Sequence, residues 1–199
     1  IHSSVFSPIT RPIMVAFIAE NIAAMQAGEP LPHFYTAGTS SAFFGFTGCG
    51  ISIGCIIACM MSKNKRYKQI GRVSLFPALF GINEPILFGA PIILNPIMFI
   101  PHVFGGAIIG TFPMFLMHWG LLNKPIFDPP YVGIFLEGFL TNGDWRTIIV
   151  CAIQLIASVA IYWPFFKIME RNDEIEAMEK AQKAVFTQEE AKLLEDLDL

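Results

Sequence analysis

Acidic residues are nearly absent from the middle of this chain. From Pro30 to Phe127 the only Asp or Glu is Glu84, and from Val73 to Asn123 there is no Lys or Arg. Glu84 lies in "FGINEPILFG", Phe80 to Gly89, so no charge nearby in sequence can pair with it. A carboxylate in apolar surroundings is costly unless paired or hydrogen-bonded, and in a membrane segment it marks a candidate functional site. Cysteine is also scarce. Cys49, Cys55 and Cys59 share one apolar stretch and Cys151 lies in another. Cys55 and Cys59 fall on one helix face, but no His or acid joins them as a metal set requires, so they read as small packing residues rather than a disulfide framework. No metal, cofactor or nucleic-acid partner is expected.

What is abundant is apolar surface. Hydrophobic residues make up 54% of the 199 positions, Phe alone contributes 19, and the mean hydropathy is +0.56. Phe43 to Met61, Phe99 to Leu122 and Thr147 to Phe166 carry no Asp, Glu, Lys or Arg over 19, 24 and 20 residues. Each is long enough for a hydrocarbon core about 30 Å thick, which needs roughly 20 residues. The expectation is an all-α polytopic membrane protein with about three transmembrane helices. The net charge of −3 conceals an asymmetry: from Lys167 onward the chain holds ten acids and five bases, leaving a slightly basic, apolar remainder.

Topology follows from the basic residues. "SKNKRYKQIGR" has five Lys or Arg between Lys63 and Arg72 and no acid, so the loop at 62–72 is assigned to the cytoplasm. Lys167 and Arg171 beyond the last span place that end there too. An even number of crossings must then separate the two, and Phe99 to Leu122 and Thr147 to Phe166 already supply it. Residues 73–98 should therefore enter the membrane and return. Pro77, Pro85, Pro91 and Pro96, with Gly81 and Gly89, break a continuous helix there, and broken backbone at membrane depth is tolerated where it lines a cavity. A re-entrant hairpin with Glu84 near its tip is the result.

The other segments are less constrained. A short amphipathic helix from Ile13 to Met25, with Thr10 before Arg11 and Pro12 as its start, is interrupted by Glu20 and Asn21 and is expected at an interface or lining a cavity. Residues 123–146 read as a weakly charged external loop. The tail reads as two short helices, the second opened by Thr187 and Glu190 as a capping box. Among the histidines, His102 reads as packing, His118 beside Trp119 as interfacial, and His33 as a loop residue of open role. The chemistry around Glu84 suits a sugar better than a proton path, because the 98-residue stretch holds no second acid. Asn83, Glu84 and Asn95, with the abundant Phe, supply the acceptors and aromatic surface that sugar hydroxyls need. A secondary sugar or cation transporter is the alternative.

"FGINEPILFGAPIILNPIMFIPHV" closely resembles the hallmark segment of the membrane component, enzyme IIC, of bacterial phosphotransferase-system permeases of the lactose, cellobiose and diacetylchitobiose group, F-x-I-N-E-P-[IV]-x-F-G-x-P-I-[VI]-x-N-P. "SPITRPIMVAFIAENIAAMQAGEPLPHFYTAG", "EGFLTNGDWR" and "IYWPFFK" are similar to its flanking segments, so the likeness covers residues 1 to about 170. The chain opens "IHSS" where the family has W-F-x-G-I-H-G, which matches His2 to the family's active-site histidine, with Ser3 in place of Gly. Where relatives carry PW(T/S), this chain has "DPPYVG", so that either Tyr131 replaces that aromatic surface or the sugar preference differs.

The resemblance implies the substrate-binding half of a IIC membrane domain over 1–170, followed by a charged cytoplasmic tail over 171–199. It implies a bacterial plasma-membrane permease that binds a β-linked disaccharide and presents its 6-hydroxyl for phosphorylation by a phosphocysteine on IIB, itself supplied by IIA. Glu84 would hydrogen-bond sugar hydroxyls, with Asn83, Asn95 and Tyr131 contributing, and His2 would lie near the reacting hydroxyl. The chain is expected to be the carboxyl-terminal part of a longer protein. The absent amino-terminal half would hold a homodimer interface, and the piece alone is expected to be inactive.

Overall fold

A computed structural model describes residues 6–45, 48, 50–90, 92, 93 and 95–197, with backbone alone from 188 onward. His2 and Cys49 lie outside the described residues. The described residues form helices α1 (Ser7–Ala27), α2 (Ala37–Thr39, widening into a π turn over Ser40–Phe44), α3 (Ile53–Met61), α4 (Lys65–Ala78), α5 (Glu84–Gly89), α6 (Pro96–Phe99, continuing as a π turn over Ile100–Gly105), α7 (Gly106–His118), α8 (Ile134–Asn142) and α9 (Arg146–Leu197). No strand occurs among them.

Two of these elements are long and apolar enough to cross a membrane: the continuous helical run Pro96–His118, of 23 residues, and α9. They match the second and third expected spans. The first does not form one helix. Phe43 to Met61 is interrupted between α2 and α3, where Gly48, Gly50 and Ile51 have φ of 82°, 73° and 50°. The left-handed region is open to glycine and costly for a β-branched residue, so two glycines flanking this site break the helix despite its apolar composition.

Elsewhere the helices are longer than expected. α1 starts at Ser7 with Pro8 in its first turn, so Thr10 lies inside it, bonding back to the Phe6 carbonyl at 3.2 Å. The basic stretch at 62–72 is helix rather than loop from Lys65, capped by Asn64, whose side chain accepts from the Arg66 amide at 2.9 Å. The tail continues α9 without interruption, and the Thr187 hydroxyl donates to the Lys183 carbonyl at 3.0 Å inside the helix instead of capping a new one. A capping box has no role where the preceding residues already supply the helical carbonyls.

α9 is the hub, packing against α3, α6, α7 and α8. Its buried face carries polar residues at intervals of four, Gln154, Ser158 and Tyr162, which reach backbone groups that the broken segment cannot satisfy internally. Gln154 Nε2 donates to the Phe43 carbonyl at 3.3 Å and the Ile109 carbonyl at 2.9 Å. Ser158 Oγ donates to the Ile51 carbonyl at 2.6 Å and accepts from the Gly54 amide at 3.0 Å. The Tyr162 hydroxyl donates to the Gly50 carbonyl at 2.8 Å. It then accepts from His102 Nδ1 at 3.1 Å, which places the imidazole proton on Nδ1 and makes His102 a hydrogen-bonding partner rather than packing. Leaving such buried backbone groups unpaired would cost roughly 1–3 kcal/mol each. Further along α9, Glu170 accepts from Ser62 and Asp173 from Tyr67, joining the tail to α3 and α4.

The polar residues of α1 have local partners. Asn21, fully buried, donates to the carbonyls of His33 and Pro125 at 2.9 and 2.8 Å and accepts from the His33 amide at 2.9 Å. Glu20 pairs with His33 at 2.5 Å, and that imidazole stacks on Phe17. These contacts fix the loop after α1 and the loop before α8 to one another. Arg11 adds a 2.6 Å ion pair to Asp128.

Candidate functional site

The turn between α4 and α5 is built by local chemistry. Gly81, at φ 77°, ends α4: its amide bonds the Ala78 carbonyl at 3.1 Å, and the Ile82 amide bonds the Pro77 carbonyl at 3.1 Å. This paired pattern needs a left-handed residue, a position glycine takes at least cost. Asn83 then starts α5, its carbonyl accepting from the amides of Ile86 and Leu87 at 3.2 and 3.1 Å. Pro85, in the first turn, needs no helical amide partner. Helices α4 and α5 meet at "GINEP" and pack together, but α4 begins at Lys65, within the basic stretch, rather than inside the expected 73–98 hairpin.

Three non-helical stretches converge at this turn. Asn83 is buried and donates from Nδ2 to Ser52 Oγ at 3.2 Å, across the break in the first apolar stretch. Its side chain lies so close to Gly48 that a Cβ there would come within 2.3 Å of Asn83 Cγ. Tyr131, from the loop before α8, packs its ring over Gly81, where a Cβ would lie 3.1 Å from Tyr131 Cε1. Glu84 is the first residue of α5 and its side chain is exposed. The charge isolated in sequence thus stands at an exposed position of the turn, where its apolar neighbours Phe80, Ile82 and Phe88 are exposed as well.

Of the expected site residues, Asn83, Glu84 and Tyr131 are grouped at this turn. Asn95 is not. Its side-chain oxygen accepts from the amides of Ile97 and Met98 at 2.9 and 3.4 Å, capping α6, and it borders a cavity of about 330 Å³ with Met169, Asn172 and Asp173. Capping already occupies its acceptor. Among the described residues no three His, Cys, Asp or Glu sit together to hold a metal.

The most deeply buried acid among the described residues is Glu137 on α8, in the stretch expected to be an external loop. It is 1% exposed, with Oε1 lacking a hydrogen-bond partner. Burial pushes its carboxyl up to about 7, and the negative charge of Asp128 adds to the shift. Ser52, Gly48 and Glu137 were not singled out in sequence. The break at Gly48, Gly50 and Ile51 was detectable only as three glycines within an apolar run, Gly45, Gly48 and Gly50.

These features define a helical membrane protein whose candidate ligand site is a carboxylate and an amide displayed where broken helices meet. Comparison with known proteins identifies the family. Residues 2–106 match the family described as "Phosphotransferase system, EIIC", which is more than half of the chain, and the chain belongs to it. It is 32% identical over 193 residues to the galactose-specific EIIC component of the phosphotransferase system of Lactococcus lactis subsp. cremoris, covering 93% of this chain and 41% of that protein. It is 36% identical over 174 residues to the lactose-specific EIICB component of Staphylococcus aureus, covering 84% and 30%. The crystal structure of the transporter ChbC, the IIC component from the N,N'-diacetylchitobiose-specific phosphotransferase system, superposes with a TM-score of 0.81 at 26% identity, over 88% of this chain and 42% of that one. The chain thus spans less than half the length of these relatives.

Proposed function

We propose that this chain forms the sugar-binding half of a phosphotransferase-system permease that carries a β-linked disaccharide of the cellobiose, chitobiose or lactose type inward while its 6-hydroxyl is phosphorylated. The observation that carries this reading is the pairing of exposed Glu84 with anchored Asn83 at the junction of α4 and α5, in a family of sugar permeases. An ionised carboxylate accepts hydrogen bonds from several hydroxyls at once, and such charge-assisted bonds are the stronger kind. Tyr131 beside the turn offers an aromatic face for a pyranose ring.

In this reading His2 lies near the reacting hydroxyl. As the phosphoryl group leaves a cysteine sulfur of IIB and its phosphorus bonds to the sugar oxygen, the imidazole takes the hydroxyl proton, a role that suits a group titrating near neutrality. Glu84 holds the sugar so that this hydroxyl lies in line with the donor. IIA recharges IIB. The lipid bilayer surrounds the apolar faces of α6, α7 and α9. The basic start of α4 and the charged end of α9 face the cytoplasm, where IIB docks, and the 171–199 extension acts as a solvated tail. Residues amino-terminal to this piece complete the site and the homodimer.

The test uses membrane vesicles containing the protein expressed from its native gene, with radiolabelled cellobiose, lactose and diacetylchitobiose supplied separately. The expected product inside is the 6-phosphate of one of them, formed only when IIA, IIB and a phosphoryl donor are present. Accumulation of unmodified sugar without the relay would replace this reading with a secondary transporter.

A further inference from the structure

Ser158, on the face of α9 that carries Gln154 and Tyr162, is tied to the same short segment that anchors Asn83. Its hydroxyl donates to the Ile51 carbonyl at 2.6 Å and accepts from the Gly54 amide at 3.0 Å. Those two groups bracket Ser52, whose hydroxyl accepts from Asn83 at 3.2 Å. Ser52 and Ser158 are both fully buried. We propose that Ser158 is a positioning residue for the sugar site, acting through Ser52 and Asn83 on the direction of Glu84. The proposal rests on the reading of Asn83 and Glu84 as sugar-binding groups.

Three observations make the segment dependent on an external clasp. Ile51 has φ of 50°, the only positive value among the described non-glycine residues. A β-branched side chain is strained there and persists only where the surroundings over-determine it. The Ser158 clasp holds the peptide just after that strain, and Tyr162 holds the Gly50 carbonyl just before it. Second, α3 and α9 touch at this point without intervening side chain, since a Cβ on Gly54 would fall 2.3 Å from the Ser158 carbonyl oxygen. A small displacement of α9 is therefore transmitted directly to Gly54. Third, Asn83 has no lateral freedom: Gly48 abuts its side chain on one side and Ser52 holds its amide on the other. Asn83 and Glu84 are adjacent in the chain, so the peptide plane between them sets where the Glu84 carboxylate points. When the 51–54 segment relaxes toward negative φ, Ser52 moves from Asn83 and the turn loses its orientation.

A merely structural serine would weaken the fold without acting through Ser52. The discriminating experiment is a double-mutant cycle on disaccharide affinity in vesicles holding the protein expressed from its native gene, with radiolabelled cellobiose, lactose and diacetylchitobiose tested separately. Ser158→Ala is expected to weaken binding about tenfold and to raise the KM of uptake with little change in maximal rate, as loss of ground-state positioning predicts. Ser52→Ala is expected to act similarly. The pair together should cost no more than about twofold beyond either alone, since both break one chain of contacts. Multiplicative losses, or full affinity in Ser158→Ala, would overturn the proposal. If Ser158→Ala does not accumulate in the membrane, Ser158→Gly, which also removes the hydroxyl and adds no bulk against Gly54, runs the same cycle with the same two outcomes. Glu84→Gln serves as the separate arm: unchanged binding there overturns the sugar-site reading and this proposal with it, whereas loss there beside an intact Ser158→Ala overturns only the role of Ser158.

Discussion

Glu84 and Glu137 end in opposite environments. Glu84 stands alone in a long stretch without acids, yet its side chain is exposed at the α4–α5 turn. Glu137 belongs to a segment with several charges, yet it is buried on α8 beside Asp128, with one oxygen unpartnered. The difference shows that sequence neighbours decide how unusual a charge looks, and tertiary neighbours decide what it does. An exposed carboxylate on a well-anchored turn can meet a polar ligand without first shedding a protein partner. A buried one with a like charge nearby is driven toward its neutral form.

The largest expected effect tests the first half of this contrast. Glu84→Gln should weaken disaccharide binding by roughly ten- to a hundredfold, as loss of hydrogen bonds to a charged group worth about 1.5–3 kcal/mol requires. Equilibrium binding to membrane vesicles measures it, and wild-type affinity would remove Glu84 from the site. Glu137→Gln should leave that affinity near wild type and change the pH dependence of stability instead. With its carboxyl raised from 4.5 to about 7, folded Glu137 holds its proton where the unfolded chain has lost it. Its favourable contribution is therefore complete below about pH 4.5, falls as pH rises toward 7, and stays low above that. The wild type should lose several degrees of thermal midpoint between pH 5 and pH 8 relative to Glu137→Gln, with about 2–4 °C per kcal/mol at this size. Parallel pH profiles would show that Glu137 ionises freely in the folded protein. The smallest effect belongs to Tyr131→Ala, which should lower sugar affinity about three- to tenfold through loss of aromatic contact. An unchanged affinity would confine Tyr131 to packing on Gly81.

Much of the architecture was readable before any coordinates. Long charge-free runs mark the helices that end at His118 and begin at Arg146, and the density of proline and glycine around "GINEP" marks the break between α4 and α5. The stretch from Phe43 to Met61 misled because composition cannot register a left-handed residue, and Ile51 gives no sign of being one. Thr187 misled because a capping box describes what a helix start can use, whereas continuity of α9 removed the need for it. Asn95 sits at the start of α6, whose amides its oxygen caps, apart from the turn that carries Asn83 and Glu84.

Apolar run length and proline placement point by themselves to an all-helical membrane protein, and the lone acid makes Glu84 a candidate, because these depend on local propensity and transfer free energy. How deeply Glu137 is buried, what Asn83 and Asn95 bond to, and which residues hold the turn were decided only by tertiary structure. Each depends on contacts between segments far apart in the chain, Asn83 with Ser52 and Ser158 with Ile51 and Gly54, and on unpaired backbone groups that only a neighbouring helix can satisfy.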